Sequence, residues 1–249
     1  MTLNINCDMG ESFGHFRMGN DEALFPYIHS CNIACGFHGG DPFHIENTIK
    51  NAIKYQLIIG AHPSYPDLAG FGRRPMQLPK EELTAILKYQ IAALKGMAES
   101  LGGRLSYVKP HGALYNRAAQ DETETLTIIE AIRAIDPNLA LMGLAGSCSE
   151  KVAKEQHIPY IAEAFGDRTY LDNGQLMLRN QPGAVIENPA IAVRQILQIA
   201  REHRVKTASG KALAIQAQSI CIHGDNPAAL AILQALQEET GAQTGDFSK

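Results

Sequence analysis

The chain has 249 residues, of which 45% are hydrophobic and 19% are charged. This length fits one large α/β domain or two small ones, and the apolar content excludes a disordered protein. The formal net charge of -4, without any dense run of Lys or Arg, argues against a nucleic-acid-binding surface, which usually needs a basic face.

The cysteines and the amino terminus predict a cytoplasmic protein. Five cysteines, an odd number, imply no disulfide framework and favour a reducing compartment. Cys31 and Cys35 are a weak zinc signal, because no second pair of cysteines follows them. The chain begins without the basic region and apolar run of a signal peptide, and no stretch of about 18 apolar residues predicts a membrane span.

Seven short apolar runs predict β-strands in chain order, at residues 3–7, 30–35, 57–61, 105–109, 139–144, 159–164 and 214–222. Most are continuously apolar, as expected of parallel strands covered by helices. Because helices are predicted between them, the pattern is α/β, and both an open doubly wound sheet and a closed (β/α) barrel fit it. No linker or repeat divides the chain, so residues 1–249 are predicted to form a single domain, with 244–249 as a frayed tail.

The clearest helix is predicted at residues 80–101, where apolar side chains recur every three or four positions. Pro79 precedes it and Gly102 follows it, which is the usual placement of these residue types at helix ends. Ser147 and Glu150 have the spacing of a capping box. Three further helices are predicted to begin at Asx-Pro pairs, whose Asx side chain caps free amides: Asp41-Pro42, Asn188-Pro189 and Asn226-Pro227.

Acidic, basic, amide and imidazole side chains lie at or after the ends of six predicted strands. In chain order they are Asn6, Asp8 and Glu11, then His38, Asp41 and His44, then His62 and Asp67, then Lys109 and His111, then Glu163, Asp167 and Arg168, and finally His223 and Asp225. The carboxyl ends of parallel strands form one face, where active sites lie in α/β folds. An ordinary loop or capping role explains any one of these residues equally well, but six such loops on one face predict a functional cleft.

Some of these side chains suit particular steps of hydrolysis. Lys109 beside His111 resembles an electrophilic pair, in which Lys109 stabilises negative charge and His111 moves protons. Asp8 is interpreted as a general base or a metal ligand. Arg73 or Arg168 is a candidate to bind a substrate carboxylate, although a structural salt bridge explains Arg73 equally well.

Motifs of several enzyme classes are missing from the sequence. It contains no G-x-x-x-x-G-K-[ST], no G-x-G-x-x-G, no G-x-S-x-G and no H-E-x-x-H. These absences argue against a nucleotide-binding phosphate loop, a dinucleotide enzyme, a serine esterase and a helical zinc protease. The glycine-rich segment 36–41 runs into a predicted helix start and would expose backbone amides, which favours an anion.

Five segments occur in a characteristic order: Cys31-Asn-Ile-Ala-Cys-Gly-Phe-His-Gly-Gly-Asp-Pro42, Gly60-Ala-His-Pro63, Gly70-Phe-Gly-Arg-Arg74, Val108-Lys-Pro-His-Gly-Ala-Leu-Tyr-Asn116 and Cys221-Ile-His-Gly-Asp225. Together they resemble the LamB/YcsF family nearly from end to end. Cys31, Gly39 and Gly166 stand where the family usually has alanine, and these small changes spare every charged residue. The resemblance implies a seven-stranded barrel akin to the glycoside hydrolase/deacetylase superfamily.

The resemblance also implies ATP-dependent opening of 5-oxoproline to glutamate, in a complex with 5-oxoprolinase subunits B and C. ATP, accompanied by Mg²⁺, is therefore the expected cofactor. We predict the catalytic residues to be Asp8, His38, His62, Lys109 and His111, and the substrate-binding residues to be Asn6, Glu11, Arg73, Glu163, Asp167, Arg168, His223 and Asp225. Because a phosphate loop is missing, either an unusual loop around 36–41 or a partner subunit would bind the nucleotide.

Two alternatives stay open. One is a metal-dependent deacetylase or amidase that uses no ATP, with Asp8, His38 and His62 as ligands, because carboxylate and imidazole at strand ends suit zinc. The other is a non-catalytic subunit that binds a small cyclic acid.

Overall fold

A closed barrel of seven parallel strands forms the centre of the protein. The structure, a computed structural model, describes residues 4–241, so predicted strand position 3 and the predicted frayed tail at 244–249 lie outside the described residues. The barrel strands are β1 (Asn4–Met9), β2 (Ser30–Ala34), β3 (Ile58–His62), β4 (Leu105–Val108), β5 (Ala140–Leu144), β6 (Tyr160–Phe165) and β9 (Ser219–Cys221). Strand β9 closes the barrel by pairing with both β6 and β1. The seven-stranded barrel is thus confirmed, while the single-domain assignment of 1–249 stays a prediction.

Six strands lie within two residues of their predicted bounds, but the seventh prediction, 214–222, is wrong. That run divides into β8 (Ala212–Ala214) and β9. Strand β8 pairs with β7 (Arg204–Lys206) in a separate antiparallel ribbon, which the sequence pattern did not reveal. Just before β9, both the backbone N–H and the side-chain oxygen of Gln218 bond to the backbone of Ala162 in β6, so the chain joins the barrel from Gln218 onward.

Side chains fill the barrel interior. Tyr107 of β4 is fully buried there beside Ala140 and Met142. A Cβ atom on Gly60 would lie 2.1 Å from the Tyr107 ring, so only glycine leaves room for it. The Tyr107 hydroxyl donates a hydrogen bond to Oδ1 of Asn32, at 2.5 Å. This contact links the packed interior to the polar residues at the carboxyl ends of the strands.

Eight α-helices are described around the strands. They are α1 (Asp21–Leu24), α2 (Pro42–Lys54), α3 (Lys80–Ser100), α4 (Gly112–Ala118), α5 (Glu122–Ile135), α6 (Cys148–Glu155), α7 (Pro189–Glu202) and α8 (Ala229–Thr240). Helix α3 confirms the prediction at 80–101 and buries Leu83, Leu87 and Ile91. Among the described residues, no helix is long and apolar enough to cross a membrane.

The predicted helix starts are partly confirmed. Asp41 and Asn188 cap α2 and α7, because their side chains accept hydrogen bonds from backbone amides in the first turn. Asn226 does not begin a helix, because α8 starts at Ala229. Its side-chain oxygen accepts from the N–H of Ala228 in the preceding turn, and its side-chain amide donates to Asp167.

The predicted capping box of α6 is also wrong. The hydroxyl of Ser147 donates to the carbonyl of Leu144, and the carboxylate of Glu150 accepts from the N–H of Gly146. Neither side chain therefore makes the reciprocal contact that defines the motif.

Candidate active site

The structure brings the predicted site residues together at the carboxyl ends of the barrel strands. Eleven of the thirteen are buried, namely Asn6, Asp8, Glu11, His38, His62, Lys109, His111, Glu163, Asp167, Arg168 and His223. Arg73 and Asp225 lie at the more exposed rim. Two groups of contacts organise the buried residues.

The first, here called the lysine group, consists of Lys109 and the side chains that surround its ammonium. Lys109 Nζ donates to Asp8 Oδ1 at 2.8 Å, to Asn6 Oδ1 at 3.3 Å and to Cys221 Sγ at 3.2 Å. Glu163 Oε1 lies 2.9 Å away as an ion pair without hydrogen-bond geometry. All three N–H donors are thereby engaged, so Lys109 does not fit the predicted role of a free donor to an oxyanion.

Asp8 is held in its charged form by this group. Burial alone would raise the pKa of Asp8, but the charges of His62 and Lys109 outweigh burial and hold it well below its usual value. Asn32 also donates to Asp8 Oδ1, at 2.8 Å. A carboxylate with so low a pKa is a weak base near neutral pH, so Asp8 suits charge stabilisation better than the predicted proton abstraction.

The second, here called the imidazole group, consists of Glu11, His38, His62 and His111. His62 Nδ1 lies 2.7 Å from the carbonyl of Lys109, and His111 Nε2 lies 2.8 Å from the carbonyl of Phe71. A carbonyl only accepts, so both of these nitrogens carry the proton. The other two nitrogens, His62 Nε2 and His111 Nδ1, face each other at 2.9 Å.

Glu11 and His38 complete the imidazole group. Glu11 Oε1 lies 3.1 Å from His38 Nε2 and 3.5 Å from His111 Nδ1. Burial and the charge of Asp8 raise the pKa of Glu11 to about 8. Burial, with the charges of neighbouring imidazoles, lowers the pKa of His38 and of His111 well below the usual value. The group therefore contains two imidazoles that favour the neutral form, His38 and His111, beside a carboxyl group with a raised pKa.

Asp8 lies between the two groups and a third pair of side chains, Asp167 and His223. Asp8 Oδ2 lies 3.5 Å from His62 Nε2, and its carboxylate lies within 4.8 Å of a ring nitrogen of His223. His223 Nδ1 donates to Asp167 Oδ1 at 2.9 Å, which leaves Nε2 outside this contact. The pKa of Asp167 is lowered because the charge and hydrogen bond of His223 outweigh burial. An Asp–His pair of this kind suits proton transfer.

Arg168 is a buried cation without an acidic partner within ion-pair distance among the described residues. Its side chain donates to the carbonyls of Ala184 and Met177, at 3.2 and 2.6 Å. Burial and the nearby charges of Arg179 and Arg73 lower the pKa of Arg168 to about 10. A buried charge of this kind is costly unless an anion neutralises it, so Arg168 stays a candidate for binding an anion.

Asp225 holds two arginines at the rim. Its two oxygens accept from Arg73 at 2.5 Å and from Arg179 at 2.6 Å.

The sequence pattern did not single out Arg179, whose only signal was its place in the long polar loop after β6. Nor did it single out Asn32, which follows Cys31 in one of the characteristic segments and supports Asp8.

The neighbouring acids and imidazoles have structural roles. Asp67 forms a salt bridge with Arg74, and it also accepts from the N–H of Gly70. His44 Nδ1 lies 2.5 Å from Asp41, which already caps α2. These contacts hold the loops after β2 and β3.

The start of α2 is already occupied by a side chain of the chain itself. The Asp41 carboxylate accepts from the amides of Phe43 and His44, and the N–H of Gly36 donates to the carbonyl of Gly39. These three donors are therefore engaged within the chain, which leaves the helix start with less capacity to bind an anion. The nucleotide loop at 36–41 stays a prediction.

Two sets of side chains have the composition of a metal site. The imidazole group places one ligand atom from each residue within 4.8 Å of all the others, and so do Asp8, Cys221 and His223. In the second set, the Lys109 ammonium already lies against Asp8 and Cys221, which disfavours a further cation. The imidazole group is thus compatible with a metal ion and contains Glu11 and His111 in place of the predicted ligand Asp8.

Fold and site together define an enzyme of the α/β-barrel class, with buried carboxylates and imidazoles at the carboxyl ends of its strands. The chain belongs to the LamB/YcsF family, whose model matches residues 3–248.

Three relatives illustrate the similarity. The chain is 48% identical to a 5-oxoprolinase A subunit of Agrobacterium fabrum, over 94% of this chain and 92% of the relative. It is 48% identical to the 5-oxoprolinase A subunit of Photorhabdus laumondii, over 92% of this chain and 90% of the relative. The crystal structure of a lactam utilization protein from Thermus thermophilus is 40% identical and superposes with a TM-score of 0.89, covering 97% and 98% of the two chains.

Proposed function

We propose that this chain carries the ring-opening centre of a 5-oxoprolinase, which hydrolyses the cyclic amide 5-oxoproline to glutamate. The observation that carries the proposal is the junction at Asp8, where the imidazole group meets the Asp167–His223 pair. The names of the relatives, 5-oxoprolinase A subunits and a lactam utilization protein, identify a lactam as the substrate class.

Substrate binding is assigned first to Arg168. 5-Oxoproline carries one carboxylate next to its lactam ring, and Arg168 is the buried cation that no carboxylate of the described residues neutralises. Asp225 occupies Arg73 and Arg179, so these two arginines define the edge of the same region. A planar guanidinium suits a carboxylate because it can donate two parallel hydrogen bonds.

Ring opening needs an activated water and a proton for the leaving nitrogen. We assign water activation to Glu11, His62 and His111, whose lone pairs converge. His223, oriented by Asp167, would in its protonated form deliver the Nε2 proton to the ring nitrogen. Lys109 would act as a positioning residue that keeps Asp8 charged, together with Asn6 and Glu163.

The relatives that are named as A subunits belong to an assembly with other subunits. We propose that the partners here are 5-oxoprolinase subunits B and C and that the nucleotide site lies on one of them. Support comes from the start of α2, where the Asp41 carboxylate already accepts from the amides of Phe43 and His44. Five free cysteines among the described residues are consistent with a cytoplasmic location.

The test measures glutamate and phosphate release from 5-oxoproline and ATP by this chain alone, and with subunits B and C. We expect glutamate only in the full mixture, and about a 10²–10⁴-fold lower rate with His223→Gln, as for loss of a general acid. Glu130→Gln, at an exposed carboxylate of α5, is the matched control and should leave the rate unchanged. Absence of glutamate from every mixture would contradict the proposal.

One observation favours a second candidate, a metal-dependent amidase that needs no ATP. The imidazole group has the ligand types of a hydrolytic zinc site. Hydrolysis of a model amide by the chain alone, lost on adding a chelator and without any requirement for ATP, would establish that candidate instead.

A further inference from the structure

We propose that Glu11, His62 and His111 bind one divalent transition-metal ion, with Zn²⁺ as the best match, and that His38 orients Glu11. The inference deepens the proposed function by saying what activates water, but the metal site itself requires no particular substrate. It rests on four features of the imidazole group.

The first feature is the pair of ring nitrogens that face each other. Hydrogen bonds to the carbonyls of Lys109 and Phe71 fix the protons on His62 Nδ1 and His111 Nε2. His62 Nε2 and His111 Nδ1 then face each other across 2.9 Å, a contact that either a proton shared in a hydrogen bond or a metal ion bound to both nitrogens satisfies. Imidazoles that bind metals almost always donate their other N–H in this way, so the orientation of both rings is already that of ligands.

The second feature is the spacing of the ligand atoms. Glu11 Oε1 lies 3.5 Å from His111 Nδ1, and the planes of His62 and His111 are at 90° to each other. With bonds of about 2.0–2.1 Å, the ligand atoms of a tetrahedral ion lie about 3.3 Å apart. The observed 2.9 and 3.5 Å bracket this spacing, and perpendicular rings can both direct a lone pair at one point.

The third feature is charge. Asp8 has Lys109 as a partner, but Glu11 has no Lys or Arg within ion-pair distance among the described residues. Two imidazoles and one carboxylate, with a fourth position left for water, are the ligand set of a catalytic zinc site. A bound Zn²⁺ ion lowers the pKa of a coordinated water towards neutrality.

The fourth feature separates His38 from the ligands. Its ring is stacked parallel on that of His111, at 3.7 Å between centroids and 1° between planes. Two parallel stacked rings cannot both direct an in-plane lone pair at one ion, so only His111 is assigned as a ligand. His38 Nε2 donates to Glu11 Oε1 at 3.1 Å and thereby fixes the carboxylate.

The test titrates the metal-free chain with Co²⁺, followed by its visible absorption, and with Zn²⁺ by calorimetry. We expect one ion per chain, with the intense Co²⁺ bands of a four-coordinate site. Glu11→Gln keeps the shape of the side chain but removes its charge, and we expect it to weaken metal binding at least about 100-fold. Loss of a residue that only hydrogen-bonds to a metal ligand typically weakens it less. We expect His111→Gln to weaken metal binding at least about 100-fold as well.

His15→Ala is the control, because His15 is an exposed imidazole in the loop after β1. This variant should bind Co²⁺ like the original chain, and circular dichroism should show that all variants fold. The proposal is overturned if the original chain takes up no stoichiometric metal, or if Glu11→Gln binds metal as tightly as the original. Since no substrate is present, this result is independent of whether glutamate is formed in the oxoprolinase assay.

Discussion

The lysine group and the imidazole group are neighbours, joined by the 3.5 Å contact of Asp8 with His62, yet they differ in how fully their polar atoms are matched. Every N–H of Lys109 has an acceptor, and two carboxylates offset its charge. In the imidazole group, the 2.9 Å contact of His62 with His111 accommodates a proton or a metal ion, and His38 Nδ1 is buried without a partner among residues 4–241. The group with more formal charge is thus fully matched, whereas the group with less keeps a polar atom unmatched.

The largest expected effect comes from breaking the lysine group. Lys109→Met keeps most of the side-chain volume but leaves Asp8 and Glu163 buried without their cation. Removing one partner of a buried ion pair typically costs about 3–5 kcal/mol, so we expect the free energy of unfolding to fall by that amount. Urea denaturation measures it.

Lys80→Met is the matched control, because Lys80 pairs with Glu130 on the surface. A pair this exposed contributes little to stability, so this variant should be nearly as stable as the original. Equal stability of the two variants would show that Lys109 is not the centre of the buried network, and its role as a direct donor to substrate would then return.

The next largest effect is expected on catalytic activity, when the Asp167–His223 pair is broken. Asp167→Asn replaces an acceptor with an amide, which cannot accept both the Nδ1–H and the backbone N–H of His223. We expect the imidazole to lose its orientation and kcat to fall by about 10²–10⁴-fold in the complete oxoprolinase mixture. A fall in kcat with KM and the circular dichroism spectrum unchanged separates this role from a structural one.

The sequence predicted the position of the site better than its internal roles. Parallel strands buried on both faces are continuous apolar runs, so six of them and the polar residues at their ends could be located. The contacts that engage Lys109 could not be predicted, because they depend on Asp8 and Glu163. Strands β1 and β6 bring these two residues together from distant parts of the chain. The protonation of His62 and His111 likewise depends on two backbone carbonyls, which no residue pattern reveals.

A smaller effect is expected from the barrel interior below both groups. Gly60→Ala would place a methyl group 2.1 Å from the Tyr107 ring and displace the hydroxyl that donates to Asn32. Overpacking of this kind costs about 1–3 kcal/mol, and thermal unfolding measures it. Gly96→Ala, where an added Cβ meets nothing within 4 Å in the middle of α3, should instead be neutral or stabilising. If both variants unfold alike, the interior contact does not limit packing.

The smallest effect is expected from a comparison of Asp8, which has a cationic partner, with Asp21. Lys109 keeps Asp8 charged, but Asp21 has no ion-pair partner among the described residues and accepts only the N–H of Gly10, at 2.7 Å. Burial raises the pKa of Asp21 to about 6, despite that hydrogen bond. The folded state therefore holds the proton more tightly than the unfolded chain. The resulting stability is present below about pH 4 and is lost as the pH rises through about 6.

Asp21→Asn keeps an oxygen for the Gly10 amide and removes the charge, so it should stabilise the protein where the carboxylate is ionised. The difference between the usual pKa of Asp and the pKa of about 6 for Asp21 limits the gain in the free energy of unfolding to about 3 kcal/mol. The partial exposure of Asp21 reduces this gain to about 1 kcal/mol. Urea denaturation with a chelator present, at about pH 7.5 and about pH 4, should show this gain only at the higher pH. The same difference at both pH values would mean that the Asp21 charge is already compensated, and that a missing cation is not what separates Asp21 from Asp8.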